Sequence, residues 1–283
     1  MTSNTGSLGR LSWRTQEPFG AEVEHDFREP LTAAERTAFR ALMHEHGLLI
    51  MRGQSLSLEQ QQAVAAYIGP VLSGGRGLEY VSPDDGVLGD RPMTFHSDLA
   101  FAPEPFTALS LHAVEVAENR TSTRFVSAVR AYERLPAPLK TRIAGLQAVA
   151  IDPERGDIRS AGYDIAPDTI RHTRDVVMIH PVTGSPILYV SEQHAARIEG
   201  LSRDESDALI GQLFEQLYAQ DNLVEHAWKN GDLLVWDNLA LQHGRPDLSG
   251  IWPRRLQRAA VANRGLAEQL PHYWGRPADA PVG

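Results

Sequence analysis

Phe39, Leu42, Met43 and His46 recur at helical spacing, and the stretch opens on Thr32-Ala33-Ala34-Glu35, which has the spacing of a capping box. Gly47 closes that helix, and the unbroken apolar run Leu48-Leu49-Ile50-Met51 predicts a buried strand. Ser57-Leu58-Glu59-Gln60 opens a second helix that runs through Val64 and Tyr67 to Gly69-Pro70. Ser202-Arg203-Asp204-Glu205 opens another, with Leu209, Leu213 and Leu217 on its apolar face. Shorter helices are expected around Ala131–Leu135, stopped by Pro136 and Pro138, and over Leu139–Leu146. Between and after them lie strand-like stretches at 94–101, Phe106–Val114, from Thr123 onward, Val176–Ile179, Ile187–Val190, Leu223–Trp228, Gly231–Trp236 and Arg254–Val261.

Residues 73–93 and 152–175 lack clean periodicity and read as long loops, candidates for lids over a site. Residues 1–10 and 275–283 are small and polar and are expected to fray. Helices near the start and strands through the middle and end predict an α+β fold, mainly β, built on a sheet sandwich or distorted barrel rather than alternating βαβ units. With no internal repeat and no internal linker, residues 1–283 read as a single domain.

Composition narrows the function classes. A chain of 283 residues, 42% hydrophobic and 22% charged, can bury a substantial core. The net charge of −9 argues against a nucleic-acid partner, which calls for a basic face. The absence of cysteine excludes disulfides, thiolate metal sites, iron–sulfur clusters and a cysteine nucleophile. Neither a signal-peptide core nor a membrane-length apolar run is present, so a cytoplasmic protein is expected.

The chemistry centres on Thr94-Phe95-His96-Ser97-Asp98-Leu99. In an extended strand His96 and Asp98 project the same way and can fill two adjacent corners of a metal's coordination sphere. His243 is the candidate third ligand, and two histidines with one carboxylate suit non-haem Fe(II). Each piece is weak alone: a histidine can simply hydrogen-bond an aspartate inside a core, and the chain has eleven histidines. Period two in Arg254-Arg255-Leu256-Gln257-Arg258-Ala259-Ala260 places Arg254, Leu256, Arg258 and Ala260 on one face. If that face is interior, the two guanidiniums need anions: either buried Asp or Glu, or a small dicarboxylate gripped fork to fork.

Taken together, His96-x-Asp98, Thr123, His243 and Arg254 resemble the motif of the Fe(II)/2-oxoglutarate dioxygenases of the taurine dioxygenase family. Thr123 follows Asp98, and Arg254 follows His243, at the intervals that family shows. The resemblance extends to Ala131-Tyr132-Glu133-Arg134-Leu135, Trp236-Asp237-Asn238 and Gly20-Ala21-Glu22-Val23, and spans about 20–262. It implies a double-stranded β-helix, or jelly roll, with helices packed outside. It implies that His96, Asp98 and His243 bind Fe(II), that Arg254 and Thr123 hold the far carboxylate of 2-oxoglutarate, and that Arg258 lies near the co-substrate or an anionic substrate. The implied activity uses O2 to oxidise a C–H bond of a small organic molecule, most simply by hydroxylation, with release of succinate and CO2. Relatives are often dimers or tetramers, so a homo-oligomer is expected. The sequence departs from the family at Arg120-Thr121-Ser122, where relatives often carry Gly-Gly-Asp, and at Arg91-Pro92-Met93, which lacks the polar residue used for taurine. Zinc hydrolysis on the same triad and a non-catalytic acid-binding protein are the alternatives. Arg258, with Arg76 or Arg91, favours an anionic substrate.

Overall fold

The computed structural model describes residues 4–72, 80–82, 90–152, 158, 163, 165 and 169–270. Among the described residues two sheets face each other. The larger has the strand order β1-β2-β3-β4-β15-β7-β17-β5 and the smaller β14-β8-β16-β6. Here β1 is Thr5–Leu8, β2 Leu11–Thr15, β3 Ala21–Glu24, β4 Leu48–Met51, β5 Tyr80–Val81 and β6 Met93–His96. β7 is Ala108–Val116, β8 Ser122–Ser127, β14 Leu223–Ala227, β15 Leu233–Asp237, β16 Leu241–Arg245 and β17 Arg254–Val261. This is the jelly roll the resemblance implies.

The apolar runs of β4 and β15 follow from burial on both faces. Leu49 and Met51, with Leu233 and Val235, point outward to Phe39, Leu42 and Met43 of α1 (Ala33–His46) and Val64 of α2 (Leu58–Ala65). Leu48 and Ile50, with Leu234 and Trp236, point inward to Phe125 and Leu241 of the smaller sheet. Both helices begin with the capping boxes read from the sequence, Thr32 with Glu35 and Ser57 with Gln60. Gly47 ends α1 at φ 74°, a left-handed turn suited to glycine.

A third apolar cluster lies against the smaller sheet. It joins α3 (Ala128–Arg134), α4 (Ala137–Ile143) and α5 (Arg203–Leu217) to Val176, Ile187, Leu188 and Leu239. Leu209, Leu213 and Leu217 of α5 are buried there, as their spacing along one helix face predicts.

The structure corrects several expectations. Instead of fraying throughout 1–10, the chain forms β1, paired with β2 from Thr5↔Arg14 to Leu8↔Leu11. Instead of one loop over 152–175, residues Arg171–Asp175 form β10, an edge strand on β9 (Gln147–Ile151), with β13 (Ala195–Ile198) on the other side. Most of the remainder of 152–175, like most of 73–93 and all of 275–283, lies outside the described residues, as does Arg76. Among the described residues no helix is long and apolar enough to cross a membrane.

Candidate metal and co-substrate site

The two histidines meet across a strand pair. β16 is antiparallel to β6 with His243 opposite His96, and to β8 with His243 opposite Phe125. Gly244 makes the first pairing close: a Cβ there would sit 3.0 Å from the Met93 carbonyl oxygen. Asp98 is not in the strand, as the sequence reading had it. β6 ends at His96, and Asp98 opens a turn in which Leu99 has φ 60°. The turn still returns the carboxylate to its neighbour, with Asp98 Oδ1 3.2 Å from His96 Nε2 and 3.5 Å from His243 Nε2.

Two residues not singled out from the sequence hold that turn. The Asn238 side chain, fully buried, accepts from the Asp98 N–H at 2.9 Å and donates to the Asp98 carbonyl at 3.1 Å and the Phe106 carbonyl at 2.8 Å. From β10, Arg174 donates to the carbonyls of Ala100, Ala102 and Pro103. Both are non-local contacts; Asn238 was noticed only as part of Trp236-Asp237-Asn238, and the charged alternation of β10 hid Arg174.

The protonation pattern favours a cation. His96 Nδ1 lies 2.9 Å from the Thr94 carbonyl oxygen, so Nδ1 carries a proton and Nε2 is the nitrogen turned to Asp98. Nε2 and the Asp98 carboxylate, 3.2 Å apart, are held together by positive charge between them, a proton or a metal ion. His243 is fixed by packing against Trp236 and His96, and its buried Nδ1 makes no hydrogen bond. Burial, and then the neighbouring His96, push the His243 imidazole down to about 3, so it stands neutral and able to ligate. Burial alone would raise the Asp98 carboxyl, but the Arg258 guanidinium on Oδ2 holds it well below the usual carboxylate range. One ligand atom from each of His96, Asp98 and His243 lies within 4.8 Å of the others. The donor set fits an iron-type metal.

The inward face of β17 is as period two predicted: Leu256 and Ala260 join the inner core, and Arg254 and Arg258 share that face. Arg254 is 2% exposed. Arg258 donates to Asp98 Oδ2 at 2.5 Å and lies over the Phe106 ring, 5.4 Å from its centroid. A bond from Arg258 to the Asp98 carboxylate had no sign in the sequence. Thr123 is buried two residues from Phe125 on the same face of β8, and its Oγ1 accepts from Trp228 Nε1 at 3.0 Å.

A jelly roll with two histidines and an aspartate at the joint of its smaller sheet defines a class of metal-dependent oxygenases. The sequence model of the family described as "Taurine catabolism dioxygenase TauD, TfdA family" matches residues 12–260. The chain belongs to that family and is a 2-oxoglutarate-dependent dioxygenase using an iron-type metal. It is 29% identical over 265 residues to an alpha-ketoglutarate-dependent sulfate ester dioxygenase of Pseudomonas putida, covering 86% of each chain. It is 30% identical over 275 residues to an alpha-ketoglutarate-dependent 2,4-dichlorophenoxyacetate dioxygenase of Cupriavidus pinatubonensis, covering 86% of this chain and 94% of the relative. Among solved structures, a taurine dioxygenase from Burkholderia xenovorans matches with TM-score 0.77, 26% identity and 89% of each chain covered. A complex of AAD-2 with Mn(II) and N-oxalylglycine matches with TM-score 0.74 and 29% identity, over 94% of this chain and 99% of that one.

Proposed function

We propose that residues 1–283 form one dioxygenase domain in which His96, Asp98 and His243 hold Fe(II), and that O2 is the oxidant. The observation that carries this is the convergence of His96 Nε2, His243 Nε2 and Asp98 Oδ1, with the other His96 nitrogen taken up by the Thr94 carbonyl. In this reading Arg254 pairs with the far carboxylate of 2-oxoglutarate, and Thr123 donates its hydroxyl proton to the same group. Arg258 holds the Asp98 oxygen that faces away from the histidines, which leaves Oδ1 for the metal. The loaded metal and 2-oxoglutarate supply the oxidation of a C–H bond, most simply hydroxylation, with release of succinate and CO2. The protein supplies orientation: Asn238 and Arg174 fix the ligand turn, and the aromatic walls around His243 keep water off its ring.

The primary substrate is proposed to be a small organic anion. Relatives named for sulfate esters, 2,4-dichlorophenoxyacetate and phenoxypropionate share that character. Arg258 stands on the Asp98 side of the inner face, where a substrate anion can share it. We place the protein in the cytoplasm, in keeping with a chain without cysteine. Anaerobic addition of Fe(II) and 2-oxoglutarate tests the assignment. The native protein is expected to develop a weak visible charge-transfer band, and His96→Ala to lack it. Arg254→Ala is expected to bind 2-oxoglutarate far more weakly while keeping iron. No band in the native protein, or full co-substrate affinity in Arg254→Ala, would overturn the reading.

A further inference from the structure

Trp228 is completely buried, and its indole N–H reaches the site at Thr123. Its backbone is fixed on both sides: its N–H donates to the Thr121 carbonyl at 3.0 Å, and its carbonyl accepts from Asn119 N–H at 3.0 Å. His226 of β14, two residues before Trp228, packs edge-on against the indole at 4.8 Å. His226 is held in turn by Asp232, whose Oδ2 lies 3.0 Å from His226 Nε2 and accepts from Arg52 at 2.6 Å and from the Lys229 N–H at 2.9 Å. The indole therefore has one orientation, with its N–H on Thr123 Oγ1.

The consequence lies in the hydrogen-bond inventory. An indole nitrogen can only donate, whereas a threonine hydroxyl carries one proton and two lone pairs. Thr123 must accept from Trp228, so its own proton cannot point at the indole and turns to the remaining space. We propose that Trp228 is a positioning residue for the co-substrate: by taking one lone pair of Thr123 Oγ1 it turns the hydroxyl proton away from the indole, so that Thr123 offers that proton alongside the Arg254 guanidinium. Such a pair selects an ionised carboxylate, an acceptor without a proton, over a carboxamide end. The inference rests on the assignment of Thr123 and Arg254 to the far carboxylate.

The test uses full-length enzyme loaded anaerobically with Fe(II) and titrated with 2-oxoglutarate through the charge-transfer band. Trp228→Phe keeps an aromatic ring and removes the N–H. It is expected to weaken 2-oxoglutarate binding about 5-fold with Fe(II) affinity unchanged. Thr123→Val is expected to weaken binding at least as much, and Trp228→Phe to add nothing in that background. The preference for 2-oxoglutarate over its terminal carboxamide is expected to narrow in Trp228→Phe. Unchanged co-substrate affinity in Trp228→Phe, or an equal loss with and without the Thr123 hydroxyl, overturns the proposal. Arg254→Met separates the two levels. If it binds 2-oxoglutarate normally, the co-substrate assignment itself has failed; if it binds weakly while Trp228→Phe is silent, only the role of Trp228 has failed. Should Trp228→Phe not fold, indole N–H spectra of Zn(II)-loaded native and Thr123→Val protein decide. One of the five tryptophan resonances must move upfield and exchange faster when the hydroxyl is removed, and no such change overturns the proposal.

Discussion

Two histidines and an aspartate converge twice among the described residues of this chain, once as His96, Asp98 and His243 and again as His44, His180 and Asp237. The residue types are the same, and Asp237 and His243 flank one turn. What separates the clusters is the direction in which each proton points. His180 Nδ1 accepts from the N–H groups of Val182, at 3.2 Å, and Thr183, at 3.1 Å. Its proton therefore sits on Nε2, donated to Asp237 Oδ2 at 2.9 Å. That pair is a closed donor–acceptor bond with no lone pair for a cation. His96 is pinned the other way round: its Nδ1 proton goes to a carbonyl, which leaves Nε2, the nitrogen facing the Asp98 carboxylate, with no backbone partner. Ligand composition finds both clusters, whereas second-neighbour hydrogen bonds tell them apart.

The largest effect that can break this contrast is loss of the metal. His243→Ala or Asp98→Ala is expected to lower Fe(II) affinity by about 100-fold or more, while His180→Ala and His44→Ala keep one metal per chain. Metal analysis after dialysis, with a titration of each variant, reads the difference directly. A native protein that binds two ions, the second lost with His180, would erase the distinction between the clusters.

Next in size is Asn238→Ala. It removes both bonds that tie the Asp98 backbone to the turn after β15, without touching a ligand atom. Outer-shell changes of this kind typically cost about 10- to 100-fold in metal affinity. The same variant also leaves the Phe106 carbonyl without its Asn238 donor, so thermal unfolding of the apo protein must be measured beside the titration. An affinity loss no larger than the change in apo stability predicts would mean that Asp98 does not depend on this clamp.

Much of this architecture was legible from the chain, and the parts that were not share a cause. Capping boxes at Thr32, Ser57 and Ser202 are local devices complete within four residues, so they survive any tertiary context. Leu48–Met51 was readable because burial on both faces leaves an unbroken apolar run. The inward face of β17 was readable because period two survives the irregularity in its pairing with β7. By contrast, β10 shows charged alternation because it edges a small sheet, and β16 carries Gly244 because another backbone approaches it. The three metal-binding candidates were found by residue type and resemblance. Asn238, Arg174 and the Arg258–Asp98 bond act across more than seventy residues of chain, and no local pattern encodes such contacts.

The acid limb of the stability curve sharpens the comparison from the second cluster's side. Burial tends to raise the Asp237 carboxyl, but the His180 bond, aided by the nearby His44 ring, outweighs it and brings it to about 2 from an ordinary 3.8. A depressed carboxyl stabilises the fold above the unfolded value and loses that contribution as pH falls through the folded one. Asp237 is therefore expected to contribute about 2 kcal/mol at neutral pH, fading between roughly pH 4 and pH 2. Denaturant unfolding of Asp237→Asn across that range should show a flatter acid limb than the native protein. An unchanged slope would mean that the carboxylate is not what the histidines hold.

The smallest expected effect belongs to His44, and it tests the rule most finely. Its Nδ1 lies 3.6 Å from Asp237 Oδ2, beyond the length of a good hydrogen bond, and its side chain is 18% exposed. Unlike His180, it is not locked by backbone donors on the opposite nitrogen, so its pairing with Asp237 is an optional contact at the rim of a completed bond. His44→Gln is therefore expected to shift stability by no more than about 0.5 kcal/mol and to leave Fe(II) binding unchanged. His180→Gln, which breaks the short bond and strands a buried carboxylate oxygen, should cost about 1–3 kcal/mol, also with metal binding intact. If the order were reversed, His44 rather than His180 would be the residue that satisfies Asp237, and the proton direction inferred at Val182 and Thr183 would be wrong. The same reasoning that denies the second cluster a cation would then lose its footing at His96, where it argues for one.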